Sequence, residues 1–335
     1  MENGSLNLEN VIKGFRLCCQ TEGKSPWTIE WYYAFLTRFR RFMEPDGVPT
    51  TLELINRDHV RRFIRYLQTE ARTPHTGKPL SPATVQGYAR CLKAFFSWAE
   101  REGYIQPNQI ARIPIPKAPV KVINTFSSEQ IVSLMEVCQR SNGCGYRNLT
   151  AVLLMLDTGL RVSELVGIGL EDVNLTEGQI KITGGKGGRE RVVPIGSLVQ
   201  KSLWKYINQV RPQPLTQKTT RLFLSDIGLP LTRNGVQQMV RRCGKIAGLT
   251  GVRCSPHTFR HTFAKNYLLN GGDIFSLQKI LGHSSLASVR AYVNLFSGDV
   301  KKQHNRFSPV DNLTQNSQIY RLCHLPRTGH QPKCI

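Results

Sequence analysis

The sequence predicts a mainly α-helical protein with a small antiparallel β-sheet, divided into two domains. Three observations carry this. Most segments repeat apolar residues every three or four positions, several of them opening on a Ser-Pro pair. One stretch, GQIKITGGKGGRERVVPIG (178–196), changes to a period of two around a glycine-rich turn. Between helical regions, ARIPIPKAPVKVINTFS (111–127) holds Pro114, Pro116 and Pro119 with little periodicity, the behaviour of a stiff linker.

Taken in order, four helices are expected in residues 1–110. LENVIKGFRLCCQ (8–20) is the first. The second, 25–44, opens with Ser25 as N-cap and Pro26 at the first helical position, where a missing N–H costs nothing. Helices over 57–71 and 81–102 follow, each with one apolar face: Val60, Phe63, Ile64 and Leu67, then Val85, Tyr88, Leu92, Phe95 and Phe96. Their other faces carry Arg57, Arg61, Arg62 and Arg65, then Arg90 and Lys93. After the linker at 111–124, a second domain is expected over 125–307. It opens on SSEQIVSLMEVCQ, and a buried helix then breaks at Gly159 before a short second one (147–168). In the hairpin of 178–196, Ile180 and Ile182 alternate with polar neighbours, as do Val193 and Ile195 beyond the turn. Further helices are read at 231–248, 255–264, 273–283 and 285–295. The tail, 308–335, is rich in polar residues with scattered prolines and is expected to be extended or poorly ordered.

Charge narrows the partner. Forty-five Lys and Arg against 23 Asp and Glu leave a net charge of +22 over 335 residues. An excess of that size repels itself unless a polyanion offsets it, which points to nucleic acid ahead of an anionic membrane. The basic residues are spread along the chain, as on folded basic faces rather than a polybasic arm. The first twenty residues lack an apolar signal core, and AVLLML (151–156) is too short to span a bilayer. Nine cysteines at irregular spacing form no disulfide framework, so a reducing, cytoplasmic setting is expected.

The residues suited to a phosphate are few. Arg161 follows the Gly159 break, Lys186 stands at the tip of the hairpin, and His257 and Arg260 lie three apart in SPHTFRHTFA (255–264). His283 follows in LGHSS and Tyr292 nine residues later. His257 and His261 have the spacing of a zinc-protease HExxH motif, but position 258 is Thr, so the general base is missing and no metal is expected. His261 reads as packing. Arg161 also has a plain alternative as an ion pair with Glu164, three residues on, and Glu164 then reads as an orienting residue. Arg189 is a neighbouring rival to Lys186. Cys323, His324, His330 and Cys334 match no zinc spacing.

The ordered pieces TGLRVSEL, GGKGGRERVVPI, HTFRHTFA, LGHSS and AYVNL resemble the boxes of the tyrosine recombinases, the integrase family that includes the Xer proteins. The resemblance covers roughly residues 125–300, and residues 7–110 are similar, more weakly, to that family's helical, SAM-like core-binding domain. It implies a mixed α/β catalytic domain, with both domains closing round DNA. It implies strand cleavage by Tyr292 to a 3′-phosphotyrosyl link, Arg161 and Arg260 on the nonbridging oxygens, and Lys186 protonating the leaving 5′-oxygen. His257 would be the proton-transfer partner and His283 a phosphate donor, without metal or cofactor. Integration or excision of a mobile element is the first expectation. Xer-type dimer resolution, type IB topoisomerase-like relaxation and an inert DNA-binding relic are the alternatives. Double-stranded DNA with inverted-repeat core sites and a homotetramer are the implied partners, with a second recombinase or a directionality factor as further candidates. Because the chain starts with core-binding helices, no arm-binding domain ahead of them is expected. Phosphate contacts are expected from Arg61, Arg65, Arg90 and Lys93 in the first domain. In the second they are expected from Arg189, Arg233, Arg241 and Arg242.

Overall fold

The computed structural model describes residues 7–44, 51–74, 76–106, 114–119, 124–140, 144–183, 190–216, 219–282, 304–305 and 308. The chain divides into two compact units, Met1–Lys121 and Val122–Ile335. In the first, α1 (Leu8–Thr21), α2 (Pro26–Met43), α3 (Arg57–Thr69) and α4 (Pro82–Arg101) follow one another along the chain. Each start has a side-chain cap. Asn7 accepts from the Glu9 N–H, Ser25 from Thr28, Asn56 from His59 and Ser81 from Thr84. These caps satisfy backbone donors that the helix itself cannot. The core is aromatic: Phe39, Phe63, Phe95 and Phe96 are fully buried, and Phe39 meets Phe63 edge-on at 5.0 Å between ring centroids. Each such side chain contributes about 1.5–3 kcal/mol by leaving water.

The second unit is built round α6 (Gly145–Thr158), which packs against α5 (Ser128–Arg140) and α10 (Pro256–Leu269). Ala151, Val152, Leu154 and Met155 of α6 are fully buried, the all-round apolar pattern of a central helix. The helix stops at Gly159, whose φ of 61° is left-handed, and α7 (Val162–Gly167) follows. A Cβ at Gly159 would stand 2.5 Å from Phe263 Cδ1 and 2.8 Å from Leu281 Cδ2. Gly159→Ala combines that overlap with a strained φ, and is expected to destabilise by about 2–4 kcal/mol, read from thermal or urea unfolding.

The small sheet is antiparallel, as expected, but has three strands: β1 (Val173–Asn174), β2 (Gln179–Ile182) and β3 (Arg191–Pro194). The two-residue β1 was too short to leave a periodic signal. Ile180 pairs with Val193 and Ile182 with Arg191, so these four share the face that Ile180, Ile182 and Val193 bury. Helix α8 (Ser197–Lys205), continued by a π-helical turn over Tyr206–Val210, was not foreseen. Val199, Leu203 and Tyr206 bury at helical spacing, but exposed Leu198 and Trp204 fill in the polar face and blur the pattern. Helices α9 (Arg233–Ile246), α10 and α11 (Ile274–Leu281) lie where the periodicity puts them, with Thr232, Ser255 and Asp273 as caps. The expected helix at 285–295 lies outside the described residues, as does nearly all of the tail; Ser308 is buried.

Candidate active site

Four segments far apart in the sequence meet at the carbonyl end of α11. Arg161 caps α7, Arg260 projects from the second turn of α10, and Arg191 begins β3. Arg260 is only 5% exposed, and its Nη1 and Nη2 donate to the carbonyls of Gly159 and Leu281, both at 2.8 Å. Arg161 Nη1 also reaches the Leu281 carbonyl, at 3.4 Å. Arg191 Nε donates to the neighbouring carbonyl of Ile280 at 2.8 Å. The last carbonyls of a helix are orphaned acceptors at the negative end of its dipole, so three guanidiniums gather there for a physical reason.

Glu164 holds the group together. Its carboxylate accepts the Arg161 N–H at 2.8 Å and Arg161 Nη1 at 2.9 Å, and Arg191 Nη1 and Nη2 at 3.0 and 2.9 Å. The side chain is 1% exposed. Burial pushes its carboxyl up, but the bonds and charge of Arg191, with those of Arg161, outweigh that and hold it below the usual range. Its orienting role in the sequence reading rested on Arg161 alone; Arg191 was missed. A signal was present, because Arg191 has the same alternation parity as inward-facing Val193 and Ile195. An arginine on the buried side of a strand needs a buried acid.

Of the other expected residues, His257 lies exposed in the first turn of α10, three residues before buried Arg260. His261 is half-buried. Burial, then the charges of His257 and Arg260, keeps its imidazole below the ordinary range and so neutral at pH 7, as packing requires. Lys186, Arg189, His283 and Tyr292 lie outside the described residues. By chain position, His283 comes two residues after Leu281 and Lys186 five before Arg191. Among the described residues, no group of three or more His, Cys, Asp or Glu stands where it could hold a metal ion, and no helix is long and apolar enough to cross a membrane.

The expected DNA contacts separate. Arg61, Arg65, Arg90 and Lys93 are exposed on α3 and α4, with Arg61 paired to Asp58 at 3.1 Å. Arg233, Arg241 and Arg242 are exposed on α9, but neighbours in sequence turn to different sides of a helix. Arg241 lines a cleft with Lys245, Arg253 and the start of α10. Arg242 lines another, with Arg140 and Arg147.

Comparison with known proteins shows the family. Residues 124–298 match the phage integrase family and residues 11–115 the phage integrase SAM-like domain. The tyrosine recombinase XerD of Staphylococcus saprophyticus subsp. saprophyticus is 32% identical over 304 residues, covering 90% of this chain and 99% of that protein. Among solved structures, the XerH site-specific recombinase bound to palindromic difH substrate superposes with a TM-score of 0.67 at 21% identity, over 90% of each chain. A lambda integrase tetramer bound to a Holliday junction gives 0.67 at 20% identity, over 87% of this chain and 78% of that one. At those identities the likeness is one of fold. The sequence match over most of the chain carries the assignment: this protein belongs to the phage integrase family as an Xer-like tyrosine recombinase, an enzyme that cleaves and rejoins DNA.

Proposed function

We propose that the Tyr292 hydroxyl attacks a DNA phosphodiester, forming a 3′-phosphotyrosyl ester and releasing a 5′-hydroxyl. The observation that carries this is the convergence of Arg161 and Arg260 on the Leu281 carbonyl, two residues before His283. Arg260 is anchored by Nη1 and Nη2 on the carbonyls of Gly159 and Leu281. Arg161 has Nε and Nη2 unpartnered among the described residues. Charge that builds on the nonbridging oxygens in the transition state would meet these fixed cations. His257 would take the tyrosine proton, Lys186 would give one to the departing 5′-oxygen, and His283 would donate to the phosphate. The ester conserves the energy of the broken bond, so a 5′-hydroxyl from another strand can reseal it.

In this reading residues 1–110 bind the core site and residues 125–307 carry the chemistry. Four protomers would act on two duplexes in the cytoplasm, with inverted-repeat sites and with a second recombinase or directionality factor where the site is asymmetric. The match to XerD along nearly its whole length supports dimer resolution over the mobile-element role that the sequence alone put first. The test is wild type and Tyr292→Phe on nicked duplexes, read as a covalent adduct on a denaturing gel without metal or ATP. An adduct lost in the phenylalanine variant is expected. One that survives there would overturn Tyr292 as nucleophile, and its mapped position distinguishes a chromosomal site from element ends.

A further inference from the structure

Arg191 occupies a position that none of the roles above uses. Of its guanidinium nitrogens, all three donate: Nη1 and Nη2 to Glu164 and Nε to the Ile280 carbonyl. The group also lies against the backbone at Gly282, where a Cβ would stand 2.9 Å from Nη1 and 3.0 Å from Cζ. So the glycine that ends α11, at a φ of 64°, leaves room for this side chain as well as for the left-handed turn. Glu164 in turn accepts four hydrogen bonds, two on each oxygen, which fills its lone-pair sites.

We propose that Arg191 is a positioning residue for cleavage: by neutralising buried Glu164 from the strand side, it leaves the charge of Arg161 available to the scissile phosphate while tying β3 to the end of α11. With Arg191 present, one carboxylate faces two guanidiniums, and the surplus positive charge lies on the exposed side, at Arg161. Without it, a buried carboxylate would have Arg161 as its single full counter-charge in the described frame. A buried charge that loses its best partner draws in the one that remains. Arg161 would then be held by Glu164 in competition with the phosphate. The same loss would free the Ile280 carbonyl in the last turn of α11, three residues before His283. The inference rests on the recombinase reading.

The test is single-turnover adduct formation on a nicked duplex, with DNA affinity measured in parallel. Arg191→Met is expected to slow cleavage by about a hundredfold, the effect of displacing a catalytic group by roughly an ångström, with DNA binding retained. Adding Glu164→Gln should restore about tenfold of that rate, because the neutral amide no longer competes for Arg161; a merely structural role predicts a further loss instead. If Arg191→Met does not fold, Arg191→Lys is read the same way. Its ammonium keeps the charge but cannot span three acceptors, so a smaller loss, again relieved by Glu164→Gln, is expected. Wild-type rates in the Arg191 variants, or no relief from Glu164→Gln, overturn the proposal. No adduct from the wild-type chain on DNA that it binds would overturn the recombinase reading as well.

Discussion

Glu164→Leu is expected to destabilise the second unit by about 3–5 kcal/mol, because it leaves Arg161 and Arg191 facing an apolar side chain in a buried site. For a unit of this size that is a fall in Tm of roughly 10 °C, measurable by calorimetry on the full chain. Glu164→Gln keeps the volume and one acceptor oxygen, and should cost less. The pH dependence follows from the depressed carboxyl. Its folded-state pKa lies below the unfolded value, so its stabilisation is fully present above the ordinary carboxylate range near pH 4 and is lost as pH falls through the folded value. The wild-type protein should therefore lose more stability than Glu164→Leu between neutral pH and about pH 3. Equal acid limbs in the two proteins would show that Glu164 is not held ionised by its arginines.

Arg260→Met carries the second large effect. The substitution removes both donors that hold the carbonyls of Gly159 and Leu281, and the site is too enclosed for water to replace them freely. The Gly159 carbonyl is orphaned at about 1–3 kcal/mol and the Leu281 carbonyl keeps only Arg161 Nη1 at 3.4 Å, for an expected loss of about 2–4 kcal/mol. Cleavage should be abolished at temperatures where the variant is still folded. Arg260→Lys is not a mild change here, because one ammonium cannot serve two carbonyls and a phosphate with the guanidinium's fixed fork. An Arg260→Met protein with wild-type Tm would mean that the two carbonyls are satisfied in another way.

Much of the frame was legible in the linear order of residues. The pairs Ser25-Pro26, Ser81-Pro82 and Ser255-Pro256 begin helices where they stand, because capping and the proline φ act within one turn. The hairpin announced itself by its change of period, and the family by five ordered boxes. Helix α8 escaped because exposed Leu198 and Trp204 mask its buried face.

What only the tertiary structure decided is how Arg161, Arg191 and Arg260 differ. In sequence they are three cations. In the fold one is buried on backbone carbonyls, one is locked to an acid and one is left partly open. Local rules reach only three or four residues, whereas Arg191 is 27 positions from Glu164 and Arg260 is 101 from Gly159. Their partners are a carboxylate on another element and the carbonyl ends of helices, acceptors that every sequence contains and that folding alone brings within reach.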